Sequence, residues 1–235
     1  MLSLTMTGAV CLVCSCLAQG WEWPSEMNLG GFSVTGISGT VNPDGSGTAV
    51  GQVQIPGVVP PKVTLTRSAR GDISGGVSMA ARMSGAEIQG PFTLDAGGLN
   101  SRAAVIKLVP RSVVDATATV STGGQFSGTG RMPLGQLNMP VKFAVSRESL
   151  SVTGSCSVQA RSDTPLATYT FTGEMKLASA ASGLRLTAAG SVRRTGKLSD
   201  QVSTTQVTDV DVSIATGTGT VTVEGVAVTF SFFKP

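Results

Sequence analysis

The chain contains no histidine. That excludes every mechanism that needs a histidine base, and every metal centre built on imidazole ligands. Charge is scarce too: Asp, Glu, Lys and Arg make up 13% of 235 residues and leave a net charge of only +3. Aromatic residues are 5% of the chain, with two Trp and a single Tyr. So little charge and so few stacking rings exclude a nucleic-acid reader. Glu, Lys and Leu are too sparse for a coiled coil or a long helical bundle. What is abundant is small: Gly, Ser and Thr supply 84 of the 235 residues. Hydrophobic residues nevertheless reach 41%, with a mean hydropathy of +0.24, so the chain has the apolar content of a folded protein and not of a disordered one.

The N-terminus reads as an address. Leu2 to Leu17 is an apolar run, too short for a comfortable transmembrane helix, which needs about 20 residues. It ends in Cys16-Leu17-Ala18, the small-x-small exit of a secretory signal. Residues 1–18 are therefore expected to be a signal peptide cleaved after Ala18, with 19–235 as one all-β domain. The expected destination is outside the cytoplasm: periplasm, cell envelope or extracellular space. The first basic residue is Lys62, so the segment carries only its α-amine ahead of the apolar run. Two alternatives stand beside cleavage: a buried core helix, and lipidation of Cys16, since Val13-Cys14-Ser15-Cys16 matches a lipobox at three of four positions. Cys11, Cys14 and Cys16 all lie in this segment, so cleavage leaves Cys156 alone with no partner for a disulfide. Cys156 sits in Leu150-x-Val152-x-Gly154-x-Cys156-x-Val158, on the apolar face of a strand, where it reads as a small hydrophobe.

From about Phe32 onward the dominant signal is alternation. Leu137, Met139, Val141, Phe143 and Val145 are two apart, as are Tyr169, Phe171, Gly173, Met175 and Leu177, and then Val226, Val228, Phe230 and Phe232. A period of two puts these residues on one face of a sheet and the intervening Ser, Thr, Arg and Lys on the other. One dry face and one wet face is the signature of an antiparallel sheet. Asn42-Pro43-Asp44-Gly45, Gly97-Gly98, Gly123-Gly124, Ser146 to Ser149 and Ala181 to Gly183 supply turns between the runs. The expectation is a single antiparallel meander of roughly 12 to 15 strands, forming a curved sheet, sandwich or barrel. Pro56 to Pro61 reads as a wide loop. Inward positions are often Gly, Ala or Val, so the sheet either wraps closely around something or stacks tightly on itself.

Candidate chemistry is thin. Asp209 and Asp211 share a strand face about 7 Å apart, a spacing open to a cation or a carboxylate pair. Val210, Val212 and Ile214 define the apolar side there, so both aspartates are expected in solvent. Ser231-Phe232-Phe233-Lys234 matches the Ser-x-x-Lys signature in letters. That chemistry requires a helix, and this segment reads as a terminal strand. The pairs Gly128/Gly130 and Gly217/Gly219 lack the helix and the Lys-Ser/Thr of a phosphate cradle and read as strand glycines. Arg193-Arg194 reads as charge on a strand edge, which blunts aggregation. Trp21 and Trp23 form the amphipathic pair Gly20-Trp21-Glu22-Trp23-Pro24. They suit either a membrane or carbohydrate anchor, or a plug for the end of the β-domain.

The stretch Phe126 to Val158 resembles, in strand rhythm and glycine placement, two groups of exported lipid handlers. One is the AsmA/TamB-like and Lpt-like periplasmic proteins, whose curved sheets form an apolar trough. The other is the YceI-like β-barrels that bind polyisoprenoid. The resemblance spans 33 residues and carries no specific motif, so it transfers no binding residue. It implies apolar-ligand binding or transport without catalysis.

The leading expectation is an exported, non-enzymatic β-protein that binds or shields a lipid-like ligand in the cell envelope. Leu137, Met139, Val141, Phe143 and Val145 would line its interior. The alternative is a structural or scaffold protein of the envelope or surface, in which the same row is simply core. A third class is an outer-membrane barrel, against which stand one Tyr and two Trp, too few for two aromatic girdles. No catalytic residue, metal, cofactor or nucleic-acid partner is expected, and membrane association, if any, would run through the N-terminus.

Overall fold

A computed structural model of the protein describes residues 21–108, 112–134, 137–163, 166–181, 183–196 and 202–232. The expected signal segment, Cys16 and Lys234 lie outside them. Among the described residues every regular element is a strand. The first eight are β1 (Glu26–Leu29), β2 (Phe32–Val41), β3 (Gly47–Val53), β4 (Lys62–Arg67), β5 (Ile73–Met83), β6 (Ala86–Asp95), β7 (Gly98–Lys107) and β8 (Ser112–Val120). The second eight are β9 (Phe126–Leu134), β10 (Leu137–Val145), β11 (Leu150–Asp163), β12 (Leu166–Ala180), β13 (Gly183–Gly196), β14 (Val202–Val212), β15 (Thr218–Val223) and β16 (Val226–Ser231).

Strands β1 to β14 form one antiparallel meander in which each strand pairs with its sequence neighbours, and β15 and β16 form a separate hairpin. The expected all-β antiparallel meander is what the chain forms. The meander's 14 strands fall within the expected 12 to 15, and the β15–β16 hairpin brings the strands among the described residues to 16. β1 escapes the sequence because Glu-Met-Asn-Leu is too short to show a period. The Pro56 to Pro61 loop joins two paired strands of the same sheet, β3 and β4. Asn42 to Ser46 closes the β2–β3 hairpin, with Asn42 N–H donating to the Ser46 carbonyl and Gly45 taking a φ of 81°.

Contacts between strands that are not sheet neighbours reveal how the sheet curves. The β1–β2 turn at Gly30 lies against the β6–β7 turn at Asp95 and Gly98. The β3–β4 loop meets the β8–β9 turn through Pro56 and Gly124, and the β10–β11 turn through Gly57 and Arg147. At the β5–β6 turn, the Ser84 hydroxyl donates to the carbonyl oxygens of Ser146 and Arg147, at 2.8 and 2.9 Å. Gly85, beside it, faces Leu184 at the start of β13. Finally, β16 lies beside β11. In each case the partner comes at least five strands later, most often five, and the order advances along the chain. A sandwich folded back on itself would reverse that order and set β1 opposite the last strands. The sheet instead coils, with one end of each revolution seated on the opposite end of the next. It is not closed into a barrel, because β1 and β14 each have a sheet partner on one side only.

Local chemistry drives the curvature. The register shifts between Thr35 and Ser38, Gln89 and Thr93, Ser101 and Ala104, Val114 and Thr117, and Ala188 and Gly190. Each bulge bends its strand and adds right-handed twist. Close backbone approach does the rest: Gly173 of β12 pairs with Gly190 of β13, and a Cβ on Gly173 would stand 2.7 Å from the Gly190 Cα. Alternate residues of the strands point into the coil and merge into one continuous apolar core that runs from Leu29 to Phe232.

Candidate functional site

The row singled out by alternation sits at the middle of this core. β10 pairs with β9 and β11, which sets Val141 between Gly130 and Gly154, Phe143 between Gly128 and Val152, and Val145 between Phe126 and Leu150. Glycine on both flanks leaves room that the β10 side chains fill. A Cβ on Gly154 would stand 2.9 Å from both the Met139 Cε and the Val141 Cγ1. Exposure is 8% at Met139, 3% at Val141, 4% at Phe143 and 0% at Val145. A side chain lining an open cavity stays accessible to a water-sized sphere, and these four touch protein instead. Of Leu137 the structure gives the strand register only, opposite Leu134.

The two aspartates are on the outside of the wall, as their neighbours predict. Asp209 lies in the β13–β14 bulge with a φ of 55°, and that twist brings both carboxylates to one cation. Arg185 of β13 reaches Asp211 at 2.8 Å through Nε and Asp209 at 3.3 Å through Nη2. The hydrogen bond from Arg185 holds the Asp211 carboxyl below the ordinary carboxylate range. The same bond, with the two negative charges, holds Arg185 more firmly protonated. A guanidinium between them leaves neither the charge of a cation site nor the shared proton of an acid pair. The partner was invisible in sequence because it lies 26 positions from Asp211.

Cys156 faces Gly173 across β11 and β12 and packs against the core. Burial pushes its thiol up to about 11, so it is not a nucleophile near neutral pH. Ser231 ends β16 and is exposed, while Phe232 is buried. Gly217 is not a strand glycine: it ends the β14–β15 turn with a φ of 69°. Gly128, Gly130 and Gly219 are in strands, as expected.

At the near end of the first revolution, the Trp23 ring packs against the core and its Nε1 donates to the Thr40 carbonyl at 3.1 Å. Trp21 stands edge-on to Trp23 with ring centroids 4.8 Å apart, and the Arg67 guanidinium covers it at 4.4 Å. Trp23 is thus held on the core, and Trp21 lies between it and the Arg67 guanidinium.

The opposite end, the mouth of the last revolution, holds the arrangement that sequence reading missed. Tyr169 of β12, Arg194 of β13 and Ser203 of β14 are consecutive cross-strand partners. They lie on the coil-facing side, the side of Phe171 and Val192. Arg193-Arg194 is therefore corrected: β13 is flanked by strands on both sides and is not an edge, Arg193 points outward, and Arg194 points in. Arg194 Nη1 meets Glu224, in the β15–β16 turn, at 3.0 Å. Tyr169 Oη, Arg194 Nε and Ser203 Oγ are buried without a hydrogen-bond partner. Just inside them, Phe171 packs against Phe230 and Phe232 at centroid distances of 6.0 and 5.2 Å, which docks the terminal hairpin on the core. Only the parity shared by Tyr169 and Phe171 hinted at this row; the strand pairing that completes it is nonlocal.

No family model, curated protein or solved structure matches this chain.

Proposed function

We propose that the protein is a non-enzymatic structural module of the cell envelope or surface, a coiled β-wall that is rigid because its interior is filled by its own side chains. The observation that carries this reading is the complete burial of Val145, with Val141 and Phe143 at 3% and 4% exposure, in the row that a ligand trough would have to leave open. The turns that meet are most often five strands apart, fewer than the eight at which a barrel interior is already filled by side chains. The apolar-ligand reading suggested by the alternation requires this row to separate, at a cost of roughly 1.5–3 kcal/mol per exposed side chain. An outer-membrane barrel requires a closed cylinder, whereas this sheet has two ends. The absence of histidine and the capture of both strand aspartates by Arg185 support a role without turnover. Export to the envelope is supported by the apolar run Leu2 to Leu17 and its small-residue exit.

Native mass spectrometry of protein purified without detergent tests the reading. A scaffold gives the bare polypeptide mass. A stoichiometric lipid adduct that leaves on unfolding would reverse the choice between the two readings.

A further inference from the structure

The last strand of the meander has an open edge, and its sequence points to what pairs there. β14 is hydrogen-bonded to β13 on one side only. On the other side the chain turns at Ser213, whose N–H donates to the Thr218 carbonyl at 2.8 Å, and β15 then leaves the sheet to pair with β16. A cleft of about 770 Å³ opens between the two strands, with Val207 to Ser213 on one wall and Thr218 to Thr222 on the other. Among the described residues no backbone hydrogen bond leaves β14 on that side. A strand turns its N–H and C=O groups to its two flanks in alternation, so half of those in β14 face an unoccupied flank.

The two ends of the sheet are protected differently. β1 is four residues long, follows Pro24 and carries the exposed Glu26. Shortness, a proline and a charge are the devices that keep a sheet edge from pairing. The stretch Val202 to Thr208 of β14 has none of them. It reads Val-Ser-Thr-Thr-Gln-Val-Thr, seven residues of which five are β-branched, with no charge, proline or glycine. Such a segment has the composition of a strand that adds to another strand. Its exposure agrees. Val202 is 49% exposed. Thr205 continues the inner row of Phe171 and Val192, both fully buried, yet Thr205 itself and its inner neighbours Ser203 and Val207 are only half-buried.

We infer that two copies of the chain pair β14 to β14, antiparallel about a two-fold axis at Thr205. The register is self-complementary: Val202 meets Thr208, Ser203 meets Val207, Thr204 meets Gln206, and Thr205 meets its own copy. No like charges oppose each other, and threonines opposite one another can hydrogen-bond. A two-fold contact uses one patch twice, so this single edge suffices and the assembly closes at two chains. The first charge along the strand, Asp209, stands in the bulge beyond the paired stretch. The cleft beside Val207 to Ser213 gives the partner strand room at that end. The pairing goes beyond the structural-module reading and does not depend on it, since a lipid carrier with this edge would pair in the same way.

Sedimentation of the full chain over a wide range of concentration tests the pairing, with amide hydrogen exchange as the local readout. The expected result is a reversible monomer–dimer equilibrium and slower exchange across Val202 to Thr208 in the dimer. Thr204→Lys combined with Gln206→Lys sets lysine opposite lysine twice and should weaken dimerisation roughly tenfold or more. Thr204→Lys combined with Gln206→Glu sets lysine opposite glutamate and should restore it. Both positions are exposed on the outer face, so both variants should fold, as circular dichroism checks. A chain that stays monomeric at every concentration would overturn the inference and leave the edge to a strand of another protein. A dimer that the two lysines leave unchanged would overturn it equally, because the contact would then lie elsewhere.

Discussion

Ser84 and Ser146 are joined by a hydrogen bond of 2.8 Å across 62 positions of the chain. The Ser84 hydroxyl is the donor, and the same hydroxyl reaches the Arg147 carbonyl at 2.9 Å. The bond ties the β5–β6 turn to the β10–β11 turn, one revolution on. In a flat meander those turns would be separated by five strand spacings of about 4.8 Å each, roughly 24 Å. Ser84→Ala removes the tie and leaves carbonyls that water can reach. The expected loss is about 1 kcal/mol in chemical unfolding, with no change in secondary structure by circular dichroism.

The β10 register gives a sharper contrast. Val141→Asp or Phe143→Asp buries an unpaired carboxylate and is expected to prevent folding. Phe143→Ala, which leaves a cavity, should cost about 3–5 kcal/mol. Lys142 pairs with Thr129 and Thr153 on the outer face, so Lys142→Asp should fold normally. Matching melting temperatures for Val141→Asp and Lys142→Asp would disprove the register.

Curvature by close approach is tested at two glycines. Gly173→Ala drives its Cβ into the Ala189 carbonyl and to within 2.7 Å of the Gly190 Cα, and should destabilise by several kcal/mol or yield insoluble protein. Gly76, in β5, has nothing within 4 Å of where its Cβ would sit. Gly76→Ala should be neutral or stabilise by up to about 1 kcal/mol, because the unfolded chain loses freedom. Thermal melts of the two variants, side by side, decide the point.

Much of this fold was legible because one side of the sheet is dry. The burial of Tyr169, Phe171, Met175 and Leu177 follows the period of two written in the sequence. The coil was not legible. Nothing local says that Gly30 will meet Gly98, or that Ser84 will meet Ser146, since those contacts are the sum of small bends at bulges along several strands. For the same reason Arg185 could not be assigned to Asp209 and Asp211, and Arg194 was read as edge charge although its partners Tyr169, Ser203 and Glu224 come from three other strands or turns. The departure of β15 and β16 from the sheet was hidden too, because their alternation is as regular as that of β10.

The Arg185–Asp211 pair predicts a pH response of definite sign. The folded-state pKa of Asp211 is lowered, so its contribution is present above the unfolded carboxylate value, about 3.9, and is lost as pH falls through the lowered folded value. Arg185→Gln should return the Asp211 titration, followed by NMR of the carboxyl carbon, toward the ordinary range. Both side chains are well exposed, so the melting temperature at neutral pH should change little. An unmoved Asp211 titration in the variant would show that the pair does not form in solution.

Cys156 should resist alkylation. With its thiol pushed up to about 11 by burial, iodoacetamide at pH 8 is expected to leave it unmodified in the native protein and to label it after denaturation, as read by peptide mapping. Rapid native labelling would mean that β11 and β12 open locally.

The coil itself is tested most directly by a bridge between its revolutions. Ser84→Cys combined with Arg147→Cys, treated with a short bis-maleimide, places one thiol in each of the two turns that the Ser84 hydroxyl joins. The account predicts rapid, nearly complete intramolecular bridging in the native protein and its loss in denaturant, mapped by peptide mass spectrometry. Separate single adducts at residues 84 and 147 with no bridge, as an uncoiled sheet with about 24 Å between the turns would give, would contradict it.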